Sequence, residues 1–168
     1  MQQSIVNYRK RSGITQQDIA DIFFTDKSNI CNIEKGRRNV TVSMLEAGFA
    51  NAPDSHLLND LAYELTQGYT SPSPSNRVYD DHRLAFSMRV VREMKELKMV
   101  MAEHNLDKHP QFLTQEDKEE IHHIVAEVQD VIFEATGFLI KLVKDYDFIT
   151  PQTVRKNRDA RLKMERRI

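Results

Sequence analysis

Of its 168 residues the chain has a single cysteine, Cys31, and no tryptophan. One thiol excludes an internal disulfide and suits a reducing cytoplasm. No apolar run approaches the roughly 20 residues of a membrane span. The opening Met-Gln-Gln-Ser does not begin a signal peptide. A cytoplasmic protein without a membrane partner is therefore expected. There is no glycine-rich phosphate loop and no serine nucleophile elbow. Six histidines are present, but no cysteine pair or His-Glu-x-x-His spacing accompanies them. His122 and His123 are adjacent and diverge around a helix, and His104 and His109 flank a break. These gaps predict no enzyme, no cofactor and no metal.

Charge is nearly balanced overall, at -1, but unevenly placed. Residues 1–50 carry seven Lys or Arg against five Asp or Glu. Residues 51–153 carry ten against eighteen, and residues 154–168 seven against two. Only the two ends are suited to meet phosphate.

What is present centres on residues 25–36. Asp26 or Thr25 can cap a short helix, and Gly36 can end it in a left-handed turn. Ile30 and Ile33 share one face. Lys27, Ser28, Asn29 and Asn32 lie off it and carry donors and acceptors. A helix anchored on one side and polar on the other is what a major groove accepts. The preceding segment supplies a partner. Ser4 to Lys10 reads as a first helix, with Ile5 and Tyr8 inward, ended near Gly13. Thr15-Gln16-Gln17-Asp18 starts a second by capping-box chemistry, with Ile19, Ala20, Ile22 and Phe23 as its apolar face. Phe24-Thr25 is the turn between two short helices, a helix-turn-helix.

Ile14-Thr15-Gln16-Gln17-Asp18-Ile19-Ala20, with its Gln16-x-x-Ile19-Ala20 pattern, and, after the nine residues 21–29, Ile30-Cys31-Asn32-Ile33-Glu34-Lys35-Gly36-Arg37-Arg38 resemble the Cro/CI-type (XRE-like) helix-turn-helix family. The resemblance covers residues 4–66. It implies that Gln16 meets a phosphate, that Lys27 and Ser28 face base edges, that Asn32 one turn on also reaches the groove, and that Asn29 belongs to the DNA-binding set. It also implies that Arg37, Arg38 and Asn39 follow the backbone, setting affinity and salt dependence rather than sequence choice. Arg9 and Glu34 fall where several family members form a structural ion pair. One residue departs. The turn usually holds a small residue where this chain has Phe24, so either a different turn or a buried Phe24 is expected.

Ser43-Met44-Leu45-Glu46 predicts a further cap, with Leu45 and Phe49 inward. Asp54 or Ser55 starts a fifth helix carrying Leu57, Leu58, Leu61, Ala62 and Leu65. The expected layout is all-α. It comprises a five-helix lambda-repressor-like head over 1–67, a Ser/Pro linker over 68–76, a helical oligomerisation domain over 77–150 and a basic tail over 151–168. Residues 78–104 contain neither proline nor glycine, and Leu84, Phe86, Met88, Val90, Val91, Met94, Leu97 and Met101 form a broad apolar stripe. After a break at 105–110, Thr114 and Asp117 restart a helix. Its seam, Ile121, Val125, Val128, Ile132, Ala135, Leu139, Leu142 and Tyr146, alternates four- and three-residue steps. Ile124, Val131 and Phe138 widen it. The pattern predicts an antiparallel hairpin that also packs on another copy, as a dimer or tetramer. Glycine at 137 interrupts the seam. In the tail, Val154, Leu162, Met164 and Ile168 are too sparse to predict a packed helix.

The expected function is a sequence-specific transcriptional regulator of phage or bacterial type, binding double-stranded operator DNA through the head and joining copies through the hairpin. The layout is similar to temperate-phage regulators, without any sign of a self-cleaving peptidase domain. Two other classes fit the composition: an antitoxin-like module whose helical tail grips a partner protein, and a ligand sensor with an effector between the long helices.

Overall fold

The computed structural model describes residues 2–51, 55–74, 80–104 and 106–168. All of their regular structure is helical, as the patterning predicts. Contacts divide the chain into two units: residues 1–72 with 143–168, and residues 73–142.

The first unit contains five short helices: α1 Gln2–Ser12, α2 Gln16–Ile22, α3 Lys27–Glu34, α4 Val42–Asn51 and α5 Ser55–Leu65. Their apolar positions meet in one core of Ile5, Tyr8, Ile19, Ala20, Phe23, Ile30, Ile33, Met44, Leu45, Leu57 and Leu61. α1 packs on α5 and α3, α2 on α3, and α4 on α2 and α5. Gly48 lets α4 come close to α2, since a Cβ there would stand 2.7 Å from Phe23 Cε1. Polar ties add to this core. Arg11 pairs with Asp60 at 3.1 Å, and the Ser4 N–H donates to Glu64 at 2.8 Å.

Several details differ from the sequence expectation. Thr41, not Ser43, caps α4: its carbonyl accepts from Leu45 and its hydroxyl from Met44. Phe49, expected inward, is exposed, as is Leu65 at the end of α5, and Met44 takes a core place. Asp54 lies outside the described residues. Phe24 satisfies neither expectation for the turn. It keeps the left-handed conformation (φ 47°) with its side chain 77% exposed. The basic tail also differs, because Pro151–Met164 forms a helix, α8. A Thr150–Thr153 capping box, proline in the first turn and Arg155–Asp159 and Arg161–Glu165 pairs supply what the sparse apolar residues do not.

The second unit is a hairpin of α6, Arg83–Glu103, and most of α7, Gln115–Asp145. Phe86 lies against Gly137, Arg89 pairs with Glu134 at 2.9 Å, and His104 stands 3.4 Å from Glu120. Low numbers on one helix meet high numbers on the other, so the helices are antiparallel. Gly137 permits this approach, since an added Cβ would lie 3.1 Å from Pro74 Cγ and 3.3 Å from Phe86. Thr114 and Asp117 cap α7 reciprocally, and Lys108 also bonds Asp117. Bonds from Lys108 and Thr114 pull the Asp117 carboxyl down to about 2. The predicted α6 stripe does not form a core. Phe86 is buried, whereas Leu84, Met88, Val91, Met94 and Met101 are exposed. The groove between the helices is lined instead by Arg92, Glu93, Glu96, Asp130, Phe133 and Glu134.

Candidate nucleic-acid interface

α3 is built to hold one side still and leave the other open. Asp26 caps it, accepting from the Asn29 N–H at 2.7 Å. Its end is closed by Gly36 at φ 70°, with Gly36 N–H donating to Ile33 and Arg37 N–H to Asn32. This paired closure satisfies carbonyls that the helix leaves over. Ile30 and Ile33 are wholly buried. Lys27 and Ser28 are exposed and Asn32 half-exposed, on the side away from the core. All three side chains therefore project from one short, doubly capped helix.

The orientation of α3 depends on Glu34. Its carboxylate accepts from Arg9 Nε at 2.6 Å, Arg9 Nη2 at 3.0 Å and Gln16 Nε2 at 2.8 Å. One acidic group thus ties α1, α2 and α3 together. Burial opposes its charge, but the Arg9 and Gln16 bonds win and hold the carboxyl below its ordinary range. The bond to Glu34 correspondingly raises the Arg9 guanidinium.

Two residues expected at the DNA surface have duties inside the head. Gln16 spends its amide N–H on Glu34. Asn29 donates to Thr25 Oγ1 at 2.8 Å and accepts from Arg38 Nη1 at 3.4 Å, so it is half-buried and positions Arg38. The four-residue step from Thr25 to Asn29 was the available signal for this inward turn. Arg37, Arg38 and Asn39 are exposed just after α3. The polar side of α3 thus presents Lys27, Ser28 and Asn32, with the exposed Arg37 and Arg38 just beyond its end.

The seam residues occupy a different place. Ile121 and Leu142 are half-buried, while Val125, Val128, Ile132 and Leu139 are exposed on α7. Among the described residues, no three His, Cys, Asp or Glu side chains are grouped to hold a metal, and no helix is long and apolar enough to cross a membrane.

The class defined by this geometry is an all-helical protein whose first unit presents a capped polar helix over an apolar core. No family model matches the chain, and no solved structure matches it. One curated relative does. The chain is 50% identical over 38 residues to the competence pilus inhibition repressor of Acinetobacter baylyi (strain ATCC 33305 / BD413 / ADP1). The match covers 23% of this chain and 34% of that protein, so it spans about a third of the relative's length.

Proposed function

We propose that this chain is a sequence-specific DNA-binding transcriptional regulator of repressor type. The observation that carries the reading is α3 itself: fully buried on its Ile30–Ile33 side, fixed through Glu34 to two other helices, and open along Lys27, Ser28 and Asn32. A lysine can donate to guanine O6 or N7, and an asparagine can pair with adenine through two bonds. Arg37 and Arg38 supply sequence-independent phosphate contacts. The short relative, a repressor by name, supports a regulatory role. One such helix reads too few bases to be selective alone. Operator binding therefore uses two or more copies, joined through the hairpin, on paired half-sites. Occupying a promoter then blocks polymerase without any catalytic step.

Selection of bound duplexes from a random pool tests this. The expected product is a palindrome with half-sites about 34 Å apart, or a multiple of that spacing. On that site Lys27→Ala and Asn32→Ala should each lose about 1–3 kcal/mol and relax base preference. Arg38→Ala should weaken cognate and random DNA alike and flatten the salt slope. Equal losses on both DNAs for all three variants would refute base reading by α3.

A further inference from the structure

The body that contains α3 is slightly acidic without its final segment. Residues 1–72 carry seven Lys or Arg against eight Asp or Glu. Residues 143–168, which contacts group with them, carry eight against four and turn the formal balance of the unit from -1 to +3. The remaining residues, 73–142, stand at -4. A protein that binds duplex DNA replaces condensed counterions with its own positive charge. Arg37 and Arg38 alone leave this body without a surplus. The surplus comes from α8 and the four residues after it, where seven Lys or Arg meet only Asp159 and Glu165.

We infer that α8 is a second DNA-binding element, which holds phosphates of the duplex that α3 reads. The inference rests on the DNA-reading proposal and adds to it a contact that carries affinity without base choice. All seven basic residues are exposed. Asp159 is shared by Arg155 at 3.6 Å and Arg158 at 2.8 Å, and Glu165 by Arg161 at 3.9 Å and Arg167 at 3.4 Å. Each acid thus leaves one positive charge over. Among the described residues, Lys156 and Lys163 make no ion pair. They stand seven residues apart with Ala160 between them, turned away from the half-buried Val154 and Leu162. At 1.5 Å per residue α8 is about 21 Å long, and that length of duplex carries about twelve phosphates. Other anionic partners ask for features that are missing. A membrane-surface helix sinks an apolar face, and a protein interface has an apolar centre. The exposed large apolar side chains here are Met164 and, past the helix, Ile168. Residues 151–168 also hold no aromatic ring on which single-stranded bases could stack.

The test uses full-length protein carrying Lys156→Ala and Lys163→Ala together. Neither lysine has an ion pair to break and alanine favours helix, so α8 stays folded, which circular dichroism checks. Affinity is measured against salt on a selected duplex and on a random one. Each lost phosphate contact makes the slope of log K against log salt shallower by about 0.9, so the double variant should differ from wild type by about 1.8 on both duplexes. Between about 50 and 200 mM salt the wild-type protein should therefore lose about 12-fold more affinity than the variant. The ratio of selected to random binding should stay the same. An unchanged slope would overturn the inference. If it came with weaker binding to vesicles of anionic lipid, the helix would belong to a membrane surface. If it came with altered sedimentation, its partner would be an acidic stretch of another copy. A loss confined to the selected duplex would also overturn it, because phosphate contacts carry no base preference. Failure of base reading by α3 looks different: selected and random duplexes would bind alike in the wild-type protein, while the slope difference on random duplex persists.

Discussion

Replacing Glu34 by glutamine removes the charge on which three helices converge while nearly preserving shape. The carboxylate accepts three bonds, two from Arg9 and one from Gln16, at 2.6–3.0 Å. Its side chain is only 10% exposed and that of Arg9 23%, so water compensates little. Hydrogen bonds to a charged group contribute roughly 1.5–3 kcal/mol each, and they are not additive when they share one acceptor. Glutamine keeps one acceptor oxygen but turns an NH2 group toward the Arg9 donors. A loss of about 2–3 kcal/mol in the stability of the head follows. Cys31, the single thiol and a half-buried residue of α3, reports opening of this region when it is labelled in a pulse during urea unfolding. With a urea slope of roughly 1–3 kcal/mol per molar, the midpoint should fall by about 1 M or more. The pH dependence has a definite sign. The folded Glu34 carboxyl titrates below its ordinary value, so its contribution is complete above the usual glutamate range and is lost as pH falls through the lowered value. The gap between the wild-type protein and Glu34→Gln should therefore be constant near neutrality and shrink in acid. Replacing both partners, Arg9→Met with Glu34→Met, should cost less than Glu34→Met alone, because no buried charge is left without its partner. A Glu34→Gln midpoint within error of wild type, or a gap that persists unchanged at low pH, would refute the account.

Other perturbations test other parts of the fold. Gly48→Ala sets a Cβ 2.7 Å from a buried phenylalanine ring. The overpacking should outweigh the helix-propensity gain and cost about 1–2 kcal/mol, measured by the same thiol labelling. Phe24→Gly relieves a left-handed backbone at little packing cost and should stabilise the head by about 0.5 kcal/mol, whereas Phe24→Val should destabilise it by more than about 1 kcal/mol. If the two variants were equally stable, the strain at φ 47° would have no energetic weight.

The head was legible from local chemistry. Thr15, Asp26 and Gly36 mark helix ends within a few residues of their structural cause, and Ile30 and Ile33 announce a buried side by spacing alone. Phe24 and Asn29 were harder to place. The first sits in a turn whose conformation is imposed by the helices on either side. The second bonds Arg38, nine residues away, across a loop whose course no local rule states. In the hairpin, periodicity revealed a helix from Gln115 onward but not which side meets α6. The seam and the charged positions Glu127, Asp130, Glu134 and Lys141 are both helically spaced, and the usual preference for apolar burial points to the wrong side. Likewise, α8 depends on caps and ion pairs that its low apolar content conceals.

The two sides of α3 divide labour in a way that matters for how such a protein can change. Ile30 and Ile33 carry the fold, and no side-chain hydrogen bond within the described residues recruits Lys27, Ser28 or Asn32 to it. Substitutions at those three positions draw almost nothing from the marginal stability of a small domain. Under the proposed DNA-reading role, target choice can therefore be redirected at these three positions on an unchanged scaffold. Only a step that reaches Glu34 or Asn29 must be compensated elsewhere.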